Sequence, residues 1–304
     1  MLNKNYPTFI RIIDVSPRDG LQNISQHVST EVKATLIKQL SESGLNNIEV
    51  GSFVSPKWVP QMANTEELIR ALNQPDNSRY IVLTPNSKGL DRAIECGVRD
   101  VAVFAAASET FSQKNTNCSI SDSLLRFEPL VRRALDAGIQ VRGYVSCVLG
   151  CPYEGEIDIN KVADVSQALI KMGCYEVSLG DTIGVGTPIK AQRMVEAVLK
   201  VIPAEKIALH FHDTRGQALA NILACLAYGI ATIDASVAGL GGCPYADGAS
   251  GNLATEDVVY MLDGMGIETG INLDKLVKAG QFITQQLGIQ NHSRVGTSTS
   301  PSGH

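Results

Sequence analysis

The stretch HFHDTRGQALAN, residues 210–221, sets His210 and His212 on either side of Phe211. Strand side chains alternate between faces, so in an extended segment both imidazoles point one way and Phe211 the other. Two histidines buried side by side as plain packing would each need a separate hydrogen-bond acceptor. As ligands they could share one cation, but two imidazoles alone make a poor site. Asp19, in DVSPRDGLQN, supplies a carboxylate and Asn252, in GNLATED, an amide oxygen. A mixed set of oxygens and imidazoles that leaves positions for water or a chelating substrate suits Mg²⁺ or Mn²⁺ better than structural Zn²⁺, which prefers thiolates. Asn252 reads equally well as the N-cap of the helix that NLATEDVVYML begins. Both roles can hold, with the side chain on the metal and the backbone at the helix start.

These residues need a scaffold that brings distant segments together. Apolar, β-branched runs that end in polar residues recur at Phe9–Val15, Asn47–Phe53, Tyr80–Thr84, Asp100–Ala105, Gln140–Cys147, Tyr175–Gly180, Ile207–Phe211 and Thr232–Ala238. Between them lie segments of helical periodicity, such as Thr30–Ser43 and Ile189–Val201. Gly44, Gly97, Gly138, Gly173 and Gly229 each stand just before a strand, where a left-handed helix cap needs glycine. Eight βα units predict a closed (β/α)8 TIM barrel of class α/β, and the first βα turn lacks the G-x-G-x-x-G of an open dinucleotide-binding sheet. Residues 1–292 are expected as one catalytic domain and the Ser/Thr/Gly-rich 293–304 as a flexible tail.

Catalytic groups in such barrels come from the C-terminal ends of strands and the loops after them. Those ends carry Arg18 and Asp19 after the first strand, Glu49 and Ser52 on the second, and Tyr144 on the fifth. Asp181 follows the sixth, the two histidines end the seventh, and Cys243 and Asn252 lie in the loop after the eighth.

The bulk properties narrow the partners. A chain of 304 residues, 44% hydrophobic, builds a sizeable core, and a formal charge of −5 without a basic cluster gives no footprint for nucleic acid or an anionic membrane surface. Seven cysteines without a C-x-x-C pair suit a reducing compartment. No apolar run is long enough to span a bilayer, and the N-terminal residues lack a secretory pattern, so a cytoplasmic location is expected.

Taken together, SPRDGLQN, EVGSFVSPKWVPQMA, SLGDTIGVGTP, HFHDTRGQALAN and GLGGCPYADGASGNLATED resemble the 3-hydroxy-3-methylglutaryl-CoA lyases. These are metal-dependent TIM-barrel lyases related to isopropylmalate and homocitrate synthases. The resemblance implies a bacterial-type enzyme that cleaves 3-hydroxy-3-methylglutaryl-CoA to acetyl-CoA and acetoacetate, a leucine-catabolism type of reaction. It implies Asp19, His210, His212 and Asn252 as ligands of a divalent cation, Arg18 and Cys243 as catalytic, Glu49 and Asp181 as lining the site, and a homodimer. A lyase for a longer branched 3-hydroxyglutaryl-CoA and a Claisen-type synthase are the alternatives.

That chemistry assigns further expectations. Arg18, with its fork of donors, suits the thioester oxygen as it becomes an enolate, and Glu49, isolated in an apolar strand, is expected to pair with it. Asp19 or His210 accepts the hydroxyl proton; the residues themselves leave that choice open. Cys243, in a loop with five glycines, is placed to protonate the enolate carbon. Tyr144 and Gln22 are expected to contact the glutaryl carboxylate or thioester, Asp181 to orient a histidine or a water, and Ser52 to contribute least.

Overall fold

In the computed structural model, which describes residues 6–75, 77–242 and 251–298, eight parallel strands close into a barrel in chain order. They are β1 (Arg11–Asp14), β2 (Asn47–Ser52), β3 (Arg79–Leu83), β4 (Asp100–Ala106), β5 (Gln140–Ser146), β6 (Glu176–Asp181), β7 (Ile207–Phe211) and β8 (Thr232–Ala235). The expected (β/α)8 architecture is therefore the observed one. β1 and β8 fall well short of their apolar runs. Phe9 makes only an isolated bridge to Glu268, and Val237–Gly239 coil into a single tight turn instead of extending β8.

Helices cover the outside because each presents an apolar stripe to the sheet. Thr30–Glu42 starts at Ser29, whose hydroxyl accepts the Val32 N–H, and buries Leu36, Ile37 and Leu40. Pro188–Leu199 starts on a proline that needs no backbone donor there and buries Met194, Val195 and Val198. The five glycines expected before strands all have positive φ, from +69° at Gly97 to +113° at Gly173. That conformation lets the chain leave a helix and turn back into the barrel.

The barrel interior is less apolar than its shell. Ile13, Val15, Ile81, Ala102 and Tyr144 form a small inner cluster. Beneath the mouth lies a buried ion network instead of a further apolar layer. Arg142 donates through Nε to Glu176 (2.8 Å) and through both terminal nitrogens to Asp234 (2.8 and 3.0 Å). Arg11 bonds the other oxygen of Glu176, and Ser178 Oγ donates to Asp234 (2.8 Å). Strand register produces these meetings, since Arg142 pairs with Glu176 across β5–β6 and His210 with Asp234 across β7–β8.

The C-terminal expectation needs correction. Residues 293–298 do not begin a loose tail: Arg294–Ser298 is a short helix, Ser293 is buried, and Asp257 accepts from Ser293 Oγ (2.7 Å) and from the Val295 N–H (2.9 Å). A single carboxylate meeting the start of this turn is what orders it. Among the described residues no helix is long and apolar enough to cross a membrane.

Candidate active site

After β1 the chain enters one π-helical turn, Ser16–Gly20, which carries Arg18 and Asp19 at the C-terminal rim. Asp14 holds this turn to the opposite side of the strand seam. Its Oδ1 accepts the Ser16 N–H (2.9 Å), and its Oδ2 accepts the Val237 N–H (3.1 Å) and Thr255 Oγ1 (2.8 Å). Gly20 permits the close approach, because a Cβ there would lie 2.7 Å from Ser236 Oγ and 2.9 Å from Leu240 Cβ.

Arg18 is buried and nearly fully engaged. Nε donates to Glu49 (2.7 Å), while Nη1 donates to Asp19 (2.6 Å) and lies 3.5 Å from Gln22 Oε1. Burial alone would lower its pKa, but the Glu49 and Asp19 carboxylates overcome that and keep the guanidinium charged. Among the described residues no hydrogen bond uses Nη2, so this donor remains for a ligand. The Glu49 pairing expected from sequence is thus present. A register shift in β2 between Glu49 and Gly51 helps to aim it. The Tyr144 ring lies beneath, 5.8 Å from the Arg18 guanidinium and 4.9 Å from that of Arg142, with His210 edge-on at 6.1 Å. Its hydroxyl is buried and has no partner among the described residues.

Asp19, His210 and His212 converge, each offering a ligand atom within 4.8 Å of the others. Burial works to raise the Asp19 carboxyl, yet Arg18 and the two imidazoles hold it well below the usual range. Burial and the neighbouring His210 push His212 down to about 4, so at neutral pH its ring is uncharged. The buried Nδ1 of His212 makes no hydrogen bond of good geometry among the described residues, although the Thr182 backbone acts on the ring. An ionised carboxylate and two imidazoles fit a divalent cation with open positions. Gly184, at φ +57°, closes the wall beside His212: a Cβ there would meet the His212 carbonyl oxygen at 2.9 Å.

Asn252 comes beside His212 through an isolated antiparallel bridge, and its Nδ2 donates to Asp19 Oδ2 (2.7 Å) and to the Leu240 carbonyl (3.1 Å). The helix-cap reading of Asn252 fails. The helix runs Thr255–Gly264, its N-cap position is Ala254, and no side chain caps it. Asn252 is therefore free of that duty and stands in the site.

Two expected residues are placed differently. Asp181 does not reach a histidine; its two oxygens accept the N–H groups of Val185 (3.2 Å) and Gly186 (2.8 Å) and shape the loop after β6. Ser52 Oγ donates to the Leu83 carbonyl (3.2 Å) and accepts the Val54 N–H (3.1 Å), which commits it to backbone. Cys243 lies outside the described residues. The carboxylate that does meet a histidine is Asp234, with Oδ2 3.3 Å from His210 Nδ1. The signal for it was the one that singled out Glu49: a lone acid in an apolar strand, TIDA, is costly to bury without a cationic or donating partner. Arg142 in QVRGYVS and Glu176 in EVSLGD carry the same signal.

Polar groups that converge on the C-terminal rim, above a packed interior, place the chain among the (β/α)8-barrel enzymes. Within that class the chain belongs to the HMGL-like family, whose model matches residues 9–283. It is 57% identical over 294 residues to a mitochondrial hydroxymethylglutaryl-CoA lyase of Bos taurus, covering 97% of this chain and 90% of that one. It is also 57% identical over 290 residues to a 3-hydroxy-3-isohexenylglutaryl-CoA/hydroxymethylglutaryl-CoA lyase of Pseudomonas aeruginosa, covering 95% and 97%. The crystal structure of a hydroxymethylglutaryl-CoA lyase from Pseudomonas aeruginosa superposes with a TM-score of 0.95 at 56% identity, over 97% of this chain and 98% of that one.

Proposed function

We propose that this protein is a divalent-cation-dependent carbon–carbon lyase that cleaves the C2–C3 bond of 3-hydroxy-3-methylglutaryl-CoA, releasing acetyl-CoA and acetoacetate. The observation that carries this reading is the meeting of Asp19, His210 and His212 beside a guanidinium with an unused donor. Asp19, His210, His212 and Asn252 would hold Mg²⁺ or Mn²⁺. When bound, the cation supplies positive charge that acidifies the C3 hydroxyl and fixes the rotation of the substrate.

The chain's own groups do the rest. The hydroxyl proton leaves to Asp19 or His210, the C2–C3 electron pair passes to C2, and the thioester oxygen takes the developing charge. Arg18 meets that oxygen through Nη2 while Glu49 and Asp19 keep its plane from turning. A thiol proton from Cys243 completes acetyl-CoA at C2. Tyr144 closes the floor and keeps water from the ion network beneath. Six cysteines among the described residues are free thiols, which supports a reducing compartment, the cytoplasm.

Purified protein supplied with Mg²⁺ or Mn²⁺ and 3-hydroxy-3-methylglutaryl-CoA is expected to form acetoacetate, and a strong chelator to abolish it. Undiminished turnover after thorough chelation rejects the cation. The Pseudomonas relative whose name covers two acyl chains supports a second reading, that a longer branched 3-hydroxyglutaryl-CoA is also a substrate. Turnover of the longer homologue alone would make that reading primary.

A further inference from the structure

We propose that Asp234 is the positioning residue that decides which nitrogen His210 offers to the cation, and so makes the two histidines of the site unequal. The inference rests on the cation reading above and goes beyond it by naming a residue that touches neither cation nor substrate.

The β7–β8 register sets His210 and Asp234 side by side, with His210 Nδ1 3.3 Å from Asp234 Oδ2. An ionised carboxylate only accepts, so the ring must carry its proton on Nδ1, and the lone pair on Nε2 goes to the cation, which leaves Asp19, of the two candidates, to accept the hydroxyl proton. Asp234 cannot swing away. Arg142 grips both of its oxygens, Ser178 Oγ donates to Oδ2, and Arg142 is itself held by Glu176, all of it buried. The chain thus fixes the tautomer of His210 from below, through a rigid column inside the barrel. His212 has no carboxylate behind it; its buried Nδ1 makes no hydrogen bond of good geometry among the described residues, and the Thr182 backbone is the group that bears on its ring. A carboxylate or carbonyl behind a ligating imidazole is the usual way to fix ring orientation and basicity, and its removal costs about 10- to 100-fold in metal affinity.

The test begins on the full-length, metal-free protein with ¹⁵N-labelled histidine. Long-range ¹H–¹⁵N spectra are expected to show His210 with the proton on Nδ1, the ring being assigned by its loss in His210→Gln. In Asp234→Asn a neutral amide oxygen, a weaker acceptor, replaces the carboxylate behind His210, so the preference for Nδ1 is expected to weaken and a population protonated on Nε2 to appear. Mn²⁺ affinity, read by electron paramagnetic resonance of free Mn²⁺, should fall about 10- to 100-fold. The number of Mn²⁺ sites per chain should stay unchanged and KM for the acyl-CoA at saturating Mn²⁺ within about two-fold, whereas partial unfolding would lower the site number. An Nε2-protonated His210 in the parent protein, or an Asp234→Asn protein that binds Mn²⁺ as tightly as the parent, overturns the proposal. Should Asp234→Asn fail to fold, the parent's tautomer decides alone. A parent protein that binds no Mn²⁺ rejects the cation reading instead, and the tautomer measurement still stands or falls by itself.

Discussion

Arg18 lends Nε to one carboxylate and Nη1 to another, and Nη2 has no hydrogen bond among the described residues. Under the proposed lyase reading its charge would meet the thioester enolate, in a buried site where each donor counts for more than in water. Arg18→Ala is expected to lower kcat by 10²- to 10³-fold, on the order of 2.7–4 kcal/mol. Steady-state kinetics at saturating Mn²⁺ will show it, and a loss below ten-fold would remove the oxyanion role. A paired experiment separates ligand from proton donor. His212→Ala should lower both metal occupancy and rate, because it removes the ring whose Nδ1 makes no hydrogen bond of good geometry among the described residues. Cys243→Ser should keep the metal and lose turnover, as seen by Mn²⁺ titration beside acetoacetate release. A Cys243→Ser protein of normal activity would assign the second protonation to another group.

The turns after the strands, more than the strands, depend on carboxylates to hold their shape. Glu256 illustrates this: both of its oxygens accept the N–H of Ala238 (3.0 and 2.9 Å), which holds a left-handed φ of +58° just past β8. Burial, with Asp14 and Asp257 nearby, pushes this carboxyl up from 4.5 to about 8. A folded pKa above the unfolded one means the native state favours the protonated acid. Its contribution is complete below about pH 4.5 and fades as pH rises through about 8. Thermal melts should therefore show the native protein losing stability between about pH 5 and pH 8 more steeply than Glu256→Gln, with parallel curves indicating a group that does not titrate there. The strands and their glycine-capped helices were legible in the sequence because each obeys a local period or a local φ requirement. Glu49 with Arg18, and the same-face pair His210 and His212, were legible for the same reason. The roles of Asp181, Ser52 and Asp234 were not, since each depends on which backbone or neighbouring strand lies beside it. Register between segments tens of residues apart has no local signature. The helix Arg294–Ser298 was hidden by its polar composition, which conceals the one acid, Asp257, that anchors it.

At the scale of the molecule, the barrel is closed from within by charge as well as by packing. Arg142 is fully enclosed, and its partners come from β6 and β8. Replacing it by methionine strands Asp234 without its guanidinium, and breaking such a buried pair costs about 3–5 kcal/mol. Urea unfolding of Arg142→Met is expected to show a loss of that order, together with weaker Mn²⁺ binding through the disturbed His210. A change under 1 kcal/mol would mean that water replaces the guanidinium freely.

The same enclosed arginine sets a schedule for biosynthesis. Asp234 lies 92 residues downstream of Arg142, so on the ribosome the guanidinium has Glu176 alone as its counter-ion until β8 has emerged. Until then, a half-made cylinder would have to bury both terminal nitrogens of that guanidinium without an acceptor, which favours an open, solvated intermediate over premature closure. Nascent chains halted before β8 should accordingly be protease-sensitive throughout, and resistance should arrive in a single late step.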